Sequence, residues 1–108
     1  MAYNEDLANR IRITIKLFPE DFTEKKMFGG LSFLYKGKMT VGVIKEELAV
    51  RVVSDKINTV LSEGFARPMD FTKRPMKEFV YVSPDGFKTE EQLLHWIELG
   101  LEHAKTKL

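Results

Sequence analysis

The sequence contains no cysteine. A chain without thiols cannot form disulfides, cannot use a thiolate nucleophile and cannot hold a metal ion through sulfur. It also has no run approaching the ~18 consecutive apolar residues of a membrane-spanning helix. Residues 1–6 are acidic and lack the apolar segment of a signal peptide. We therefore expect a cytoplasmic protein that does not bind a membrane.

An excess of one charge is missing as well. The 17 basic and 16 acidic side chains leave a net charge of +1, whereas dedicated nucleic-acid binders carry a basic excess because their affinity comes largely from neutralising phosphates. A length of 108 residues, with 44% apolar and 31% charged residues, is typical of one globular domain. Residues 1–108 are therefore predicted to form a single domain without repeats or linkers.

Three segments have the apolar spacing of amphipathic helices. The first begins at Asn4, which can cap the free N–H groups, and ends before Pro19. The second begins with Ser54 as its N-cap and ends before Gly64, a residue that tolerates the left-handed conformation past a helix end. Both segments are predicted to pack one apolar face on the rest of the domain.

The third helix has the clearest start in the sequence. Thr89 and Gln92 have the spacing of a capping box, in which each side chain bonds the backbone N–H of the other. Apolar residues then recur at helical spacing as far as Leu108. Gly100 inside this helix costs about 1 kcal/mol relative to alanine, so we expect another element to pack closely against it.

Five short segments show strand character. Apolar residues alternate with polar ones, and tight polar turns separate the first three segments, which is typical of antiparallel strands. The pair Gly29 and Gly30 before the first strand indicates a bulge or a close backbone approach. The resulting order α-β-β-β-α-β-β-α predicts an α+β domain with an antiparallel sheet packed by helices. The five segments are 31–35, 39–43, 48–52, 68–71 and 79–82.

Catalytic and metal-binding patterns are weak. His95 and His103 lie eight residues apart on one helix, whereas ligand pairs on a helix are three or four apart. We interpret both as surface histidines and predict no metal and no cofactor. The serines lack a nucleophile-elbow context, and the carboxylate pairs at 46–47 and 90–91 fall in a turn and a first helical turn, where they are solvated. The sequence therefore does not predict an enzyme.

Basic and apolar residues are interleaved between positions 67 and 77. Such a segment is either an exposed loop that binds a phosphate backbone or an acidic surface, or a hairpin with a buried apolar side and solvated charges. Arg51 lies in a strand of otherwise apolar residues, and it either faces solvent or pairs with a carboxylate such as Asp70. The basic residues of the segment are Arg67, Lys73, Arg74 and Lys77.

Two segments together resemble a known family. Lys-Lys-Met-Phe-Gly-Gly-Leu at 25–31 and Ala-Arg-Pro-Met-Asp-Phe-Thr-Lys-Arg-Pro-Met-Lys at 66–77 resemble the N-terminal domain of the TfoX/Sxy family of bacterial competence regulators. The strand at 79–82 and the last helix with Trp96 also fit, so the resemblance covers nearly the whole chain. Two departures are Lys73 and Glu78, where the family pattern often has glycine.

The resemblance implies an α/β fold related to that of secretion chaperones and a role in gene regulation. Full-length members help the cyclic-AMP receptor protein at competence promoters and have a second, C-terminal helical domain. This chain is accordingly expected to be a stand-alone copy of the N-terminal domain. The resemblance supplies no catalytic residues.

Three functions follow as hypotheses. The first is a non-catalytic domain that modulates transcription through a protein partner, either a transcription factor or a polymerase-associated protein. The second is direct nucleic-acid binding through the basic Arg67–Lys77 loop, and the third is a small-ligand or enzymatic module. A homodimer that shares a sheet edge or face is also expected as an assembly. The predicted partner-binding residues are Phe28, Gly29, Gly30, Arg67, Lys73, Arg74 and Lys77.

Overall fold

The computed structural model describes residues 3–27, 29–71 and 74–108, without the side chains of 27, 69–71 and 74–77. Within these ranges the chain forms three α-helices, six strands and a short 3-10 helix, Pro84–Phe87, which confirms the α+β class. The helices are α1 Glu5–Ile15, α2 Ser54–Ser62 and α3 Glu90–Thr106. The strands are β1 Phe22–Met27, β2 Gly30–Tyr35, β3 Lys38–Ile44, β4 Glu47–Arg51, β5 Ala66–Phe71 and β6 Arg74–Val82.

The described strands form one antiparallel sheet in the order β1-β2-β3-β4-β6-β5. The first four strands are a meander, and β6 then pairs with β4, so that β1 and β5 are the two edge strands. One line of paired residues crosses all six strands, and we call it the transverse row. Because paired residues point to the same face, its members share one side of the sheet. They are Lys25, Ser32, Gly42, Ala49, Tyr81 and Arg67.

The main core lies on the opposite face, between the sheet and the three described helices. Phe33, Val41 and Val50 are fully buried there against residues of all three helices, which include Ile11 and Ile97. Full burial of such side chains contributes roughly 1.5–3 kcal/mol each. This helix-covered core is the dominant source of stability in the fold.

The other face has a smaller apolar cluster of Met39, Ala49 and Phe79, with Ile44 and Tyr81 packed against it. Within the described part of the chain, no helix residue belongs to this cluster. We call this side of the sheet the helix-free face. Its apolar side chains are nevertheless buried, with 4% of Met39 and 9% of Phe79 exposed, so it is not an open hydrophobic patch.

The predicted capping signals are confirmed. The Asn4 side chain accepts a hydrogen bond from the Leu7 backbone N–H at 2.9 Å. Thr89 and Gln92 form both bonds of the capping box. Gly64 follows α2 with φ +87°, the left-handed conformation that glycine adopts without steric cost.

The glycines at positions 30 and 100 mark close backbone approaches, as predicted. A β-carbon on Gly30 would lie 1.9 Å from the carbonyl oxygen of Val43. One on Gly100 would lie 2.3 Å from the carbonyl oxygen of Thr40. These distances are far below van der Waals contact, so α3 lies closer to β3 than any side chain at position 100 allows.

The sheet has one strand, β1, that the sequence pattern did not predict. Its sequence, Phe-Thr-Glu-Lys-Lys-Met, lacks apolar alternation, because residues 23–26 are exposed on both faces. Exposed lysines on an edge strand discourage pairing with other chains. An exposed edge strand is polar and has no apolar alternation, so the sequence pattern did not predict it.

Two details of the helix boundaries differ from the prediction. Helix α1 ends at Ile15, three residues before the predicted end at Phe18, because the N–H groups of Lys16, Leu17 and Phe18 bond three residues back, which tightens the chain into turns. Ser54 is not an N-cap, since Val53 occupies that position without a side-chain bond.

Candidate functional site

The predicted site residues are divided between the two edges of the sheet. Gly29 and Gly30 lie at the β1–β2 turn, whereas Arg67 lies on β5. Five strand spacings of ~4.8 Å separate these edges, or about 24 Å. The structure therefore does not bring these three residues together, and Gly30 has a packing role against Val43.

The remaining predicted residues fall in or next to the undescribed parts. Phe28 and Lys73 lie outside the described residues. Arg74 and Lys77 belong to β6 by their backbone, and their side chains lie outside the description. Their role in binding a partner stays a prediction.

Arg67 is held by two contacts on the helix-free face. Its guanidinium binds the Glu47 carboxylate through both terminal nitrogens, with Nη2–Oε1 at 2.7 Å. The guanidinium carbon lies 4.7 Å from the centre of the Tyr81 ring. The hydrogen bond with Glu47 raises the pKa of Arg67 and lowers the pKa of Glu47. Arg67 thus links β5 across β6 to β4, and its charge is already compensated.

Arg51 stands on the same face without a hydrogen-bonded carboxylate among the described side chains. It pairs with Phe79 in the β4–β6 register, and its guanidinium carbon lies 4.7 Å from the centre of that ring. Its Nε atom is buried and has no hydrogen-bond partner. Burial lowers the pKa of Arg51, and the negative charge of Glu78 opposes this shift. The alternative pairing with Asp70 falls outside the described side chains.

The interpretation of both histidines as surface residues is wrong for His103. His95 is exposed, but His103 is 0% exposed. It lies seven residues after Trp96 and four after Leu99, and both of these are buried too. That spacing puts the three on one helical stripe, which is the signal that identifies His103 as inward-facing.

The carboxylate next to His103 belongs to Glu78, a residue in the left-handed conformation with φ +68°. Its Oε1 lies 3.3 Å from Nε2 of His103, without the alignment of a full hydrogen bond, and Nδ1 of His103 has no partner. The Ser54 hydroxyl donates to its Oε2 at 3.0 Å, and Lys107 Nζ lies 3.8 Å from Oε1. Glu78 therefore connects the start of α2 and the end of α3 to β6.

The pKa values of Glu78 and His103 are both lowered in this cluster. Contact with His103, and then with Ser54, lowers the pKa of Glu78. Burial lowers the pKa of His103, and the neighbouring carboxylate opposes that shift. A non-glycine residue with left-handed φ costs roughly 1 kcal/mol or more. Glycine adopts this conformation freely, so position 78 is one that glycine would occupy without this cost.

This cluster does not have the geometry of a catalytic group. In a catalytic triad the hydroxyl contacts the imidazole and the carboxylate orients that ring, whereas here the Ser54 hydroxyl donates to the Glu78 carboxylate. The described residues also contain no group of three or more His, Cys, Asp or Glu side chains that could hold a metal ion. No helix of the described residues is long and apolar enough to cross a bilayer. The cluster is best explained as a structural clamp.

Sequence reasoning did not predict that Tyr81, Phe79 and Met39 belong to one cluster on the helix-free face. Tyr81 and Phe79 share a face with Arg67 and Arg51 only because β6 pairs with both β5 and β4. The pairing of β6 with β4 joins strands that are not consecutive in sequence, and no local spacing reveals it. The alternation within 79–82 predicted which of these residues share a face of the sheet, but not which strands lie beside them.

These features define a class of protein: a single α+β domain that has helices on one side of its sheet and arginine-aromatic pairs on the other. Comparison with protein families matches the TfoX N-terminal domain over residues 17–104. The chain belongs to this family, as the two sequence blocks predicted. Comparison with curated proteins gives no match.

Proposed function

We propose that this domain is a non-catalytic regulator that acts in the cytoplasm by binding a protein partner and thereby modulates transcription. The helix-free face is the surface that we assign to this partner. The observation that carries the proposal is the placement of Arg51 on Phe79 and of Arg67 on Tyr81. Arginine and aromatic side chains are enriched at protein interfaces and among the residues that dominate binding energy.

The arrangement of these side chains also favours binding. An arginine that is free in solution loses rotamer freedom when it enters an interface, at a cost of roughly 0.5–1.5 kcal/mol. Arg67 is already held by its ring contact and by Glu47, and Arg51 by its ring contact. Much of this loss of rotamer freedom therefore occurs when the domain folds and not when the partner binds.

Direct nucleic-acid binding is less well supported. Affinity for a phosphate backbone requires several cations that are free to replace counterions. Arg67, the described basic side chain of the predicted loop, is paired with Glu47 through both terminal nitrogens. This pair compensates the charge of Arg67, and the side chains of Lys73, Arg74 and Lys77 lie outside the described residues.

Affinity capture from a lysate of the source cell, with and without nuclease and followed by mass spectrometry, tests the proposal. We expect the wild-type domain to recover a transcription factor or a polymerase subunit that resists nuclease. The double variant Arg51→Gln/Arg67→Gln is expected to lose it. The control Lys56→Gln/Lys105→Gln removes the same charge from exposed residues of α2 and α3 and is expected to retain it.

Two results would contradict the proposal in different ways. Recovery that disappears after nuclease treatment would favour the nucleic-acid function. Recovery that is equal for wild type and for the double variant would show that the partner binds elsewhere than on the helix-free face.

A further inference from the structure

We propose that Arg51 is the anchor of the helix-free face and binds a carboxylate of an acidic segment in the partner protein. This inference rests on the proposed function and names the chemistry of the partner. Arg67, on the same face, is not the anchor, because a carboxylate already occupies its guanidinium.

Comparison of the two arginines carries the argument. Both guanidinium carbons lie 4.7 Å from an aromatic ring centre on the same face. Arg67 forms a two-point bond with Glu47, whereas Arg51 forms no hydrogen bond or ion pair with the described side chains, and its Nε is buried without a partner. The terminal nitrogens of Arg51 are not among the buried atoms, so an incoming carboxylate can bind them and offset part of the cost of desolvating the guanidinium.

The geometry leaves room for that carboxylate. Arg51 is half-buried, so part of its side chain remains accessible to a partner. A cation–π contact uses the face of the ring and none of the guanidinium N–H donors, which remain able to match the two oxygens of a carboxylate. The contact with Phe79 therefore holds Arg51 without using its donors.

The surroundings favour a protein segment over a nucleic acid. Tyr81 and Ile44, the partly buried members of the cluster that contains Phe79, offer apolar contacts to neighbouring side chains of a peptide. Nucleic acid would instead require several uncompensated cations close together. Lys25 lies on the same face but three strands away from β4, at the far end of the transverse row. Among the described side chains around Phe79, Arg51 is a single unpaired guanidinium beside apolar groups, which suits a single carboxylate.

Charge also argues against a second copy of this chain as the occupant. Face-to-face packing of two helix-free faces would bring Arg51 and Lys25 of one copy towards the same cations of the other. Like charges placed opposite each other at an interface oppose binding. An acidic segment has the complementary charge.

Selection of peptides from a random display library on the purified domain tests the inference and does not require the partner to be identified. Wild type and Arg51→Met are used as separate targets, with Lys56→Gln as a control of equal charge change on α2. We expect wild type and Lys56→Gln to enrich peptides with Asp or Glu at a fixed position, and Arg51→Met to lose this enrichment. Methionine keeps an apolar contact with Phe79, so the variant is expected to stay folded, which circular dichroism verifies.

The strongest selected peptide is then measured in a double-mutant cycle. Its acidic residue is changed to the amide, and each peptide is titrated against wild type and Arg51→Met. We expect either single change to weaken binding about 10- to 100-fold, as for a charge-assisted hydrogen bond, and the second change to add little. Additive effects would overturn the contact between Arg51 and the carboxylate.

The other outcomes are also decisive. Enriched peptides without a fixed acidic position, or equal enrichment on Arg51→Met, would overturn the inference but leave a protein-binding function in place. Absence of any enriched peptide would overturn it too. Binding of a 20-base-pair DNA duplex that falls steeply with salt and requires Arg51 would replace the acidic segment with nucleic acid and would contradict the proposed function as well.

Discussion

Replacement of Gly100 by alanine is the sharpest test of how α3 packs on the sheet. At most helix positions this change is stabilising by about 1 kcal/mol, because alanine has the higher helix propensity. Here the new β-carbon would lie 2.3 Å from the carbonyl oxygen of Thr40 and 2.6 Å from its carbonyl carbon. Both are backbone atoms, so no rotamer change can relieve the contact.

The magnitude follows from these distances. Ordinary contact between carbon and oxygen needs about 1 Å more, so α3 and β3 have to separate along a packed interface. Overpacking of this kind costs roughly 1–3 kcal/mol, and rigid backbone on both sides puts the cost at the upper end. After subtraction of the propensity gain of about 1 kcal/mol, we expect Gly100→Ala to lose about 2 kcal/mol of unfolding free energy. For a domain of this size the melting temperature should fall by roughly 10 °C.

Urea unfolding followed by the fluorescence of the single, buried tryptophan, Trp96, measures this quantity. The matched control is Glu98, an exposed position of the same helix, where Glu98→Ala is expected to be about 1 kcal/mol more stable than Glu98→Gly. Alanine should therefore give the more stable protein at position 98, and glycine the more stable protein at position 100. An unfolding free energy for Gly100→Ala equal to or above that of wild type would refute the close contact with Thr40.

Three further predictions concern the polar groups of the fold. Glu78→Gly is expected to be about 1 kcal/mol more stable than Glu78→Ala in urea unfolding, because only alanine keeps a β-carbon at φ +68°; equal stabilities would contradict the strain. Because the pKa of His103 is lowered in the folded state, the unfolded state binds the proton first, and the unfolding free energy should fall as pH drops below about 6.5. The pKa of Glu78 is lowered as well, so the unfolding free energy should fall again below about pH 4.5. His103→Gln should flatten the upper part of that profile, and a wild-type profile that is flat from pH 7 to 5 would refute it. Arg51→Met should change the unfolding free energy little, whereas Arg67→Met should lower it by up to about 1 kcal/mol, because the ion pair with Glu47 is lost. A larger loss for Arg51→Met than for Arg67→Met would contradict the charge environments assigned to the two arginines.

Features set by neighbouring residues could be predicted from the sequence. The Asn4 cap, the capping box at Thr89 and the left-handed Gly64 depend on side chains three residues apart or fewer. The close approach at Gly100 was also predicted, because glycine weakens a helix and is favoured inside a strong helix pattern where a side chain has no room. The α+β class followed from the same local periods.

Features set by distant partners could not be predicted. Strand β1 is polar because it is an edge strand, so its residues do not show the apolar alternation of a strand. Its pairing with β2 is what identifies it as one. His103 was misassigned because a polar residue is assumed to face solvent, although the stripe with Trp96 and Leu99 pointed inward. The two arginine-aromatic pairs require β6 to lie between β4 and β5 in the sheet. The pairing of β4 with β6 joins strands that α2 and β5 separate in the sequence, so no local pattern predicts it.

The edge strands of the sheet determine how a complex can grow. Pro68 on β5 has no N–H to donate to an additional strand, and on β1 the exposed lysines 25 and 26 would have to be brought against a neighbouring chain. Extension of the hydrogen-bonded ladder is thus disfavoured at both sides. In the proposed complex the partner therefore stacks on the helix-free face as a third layer, so that the sheet lies between the partner and the domain's own helices and keeps its strand count on binding.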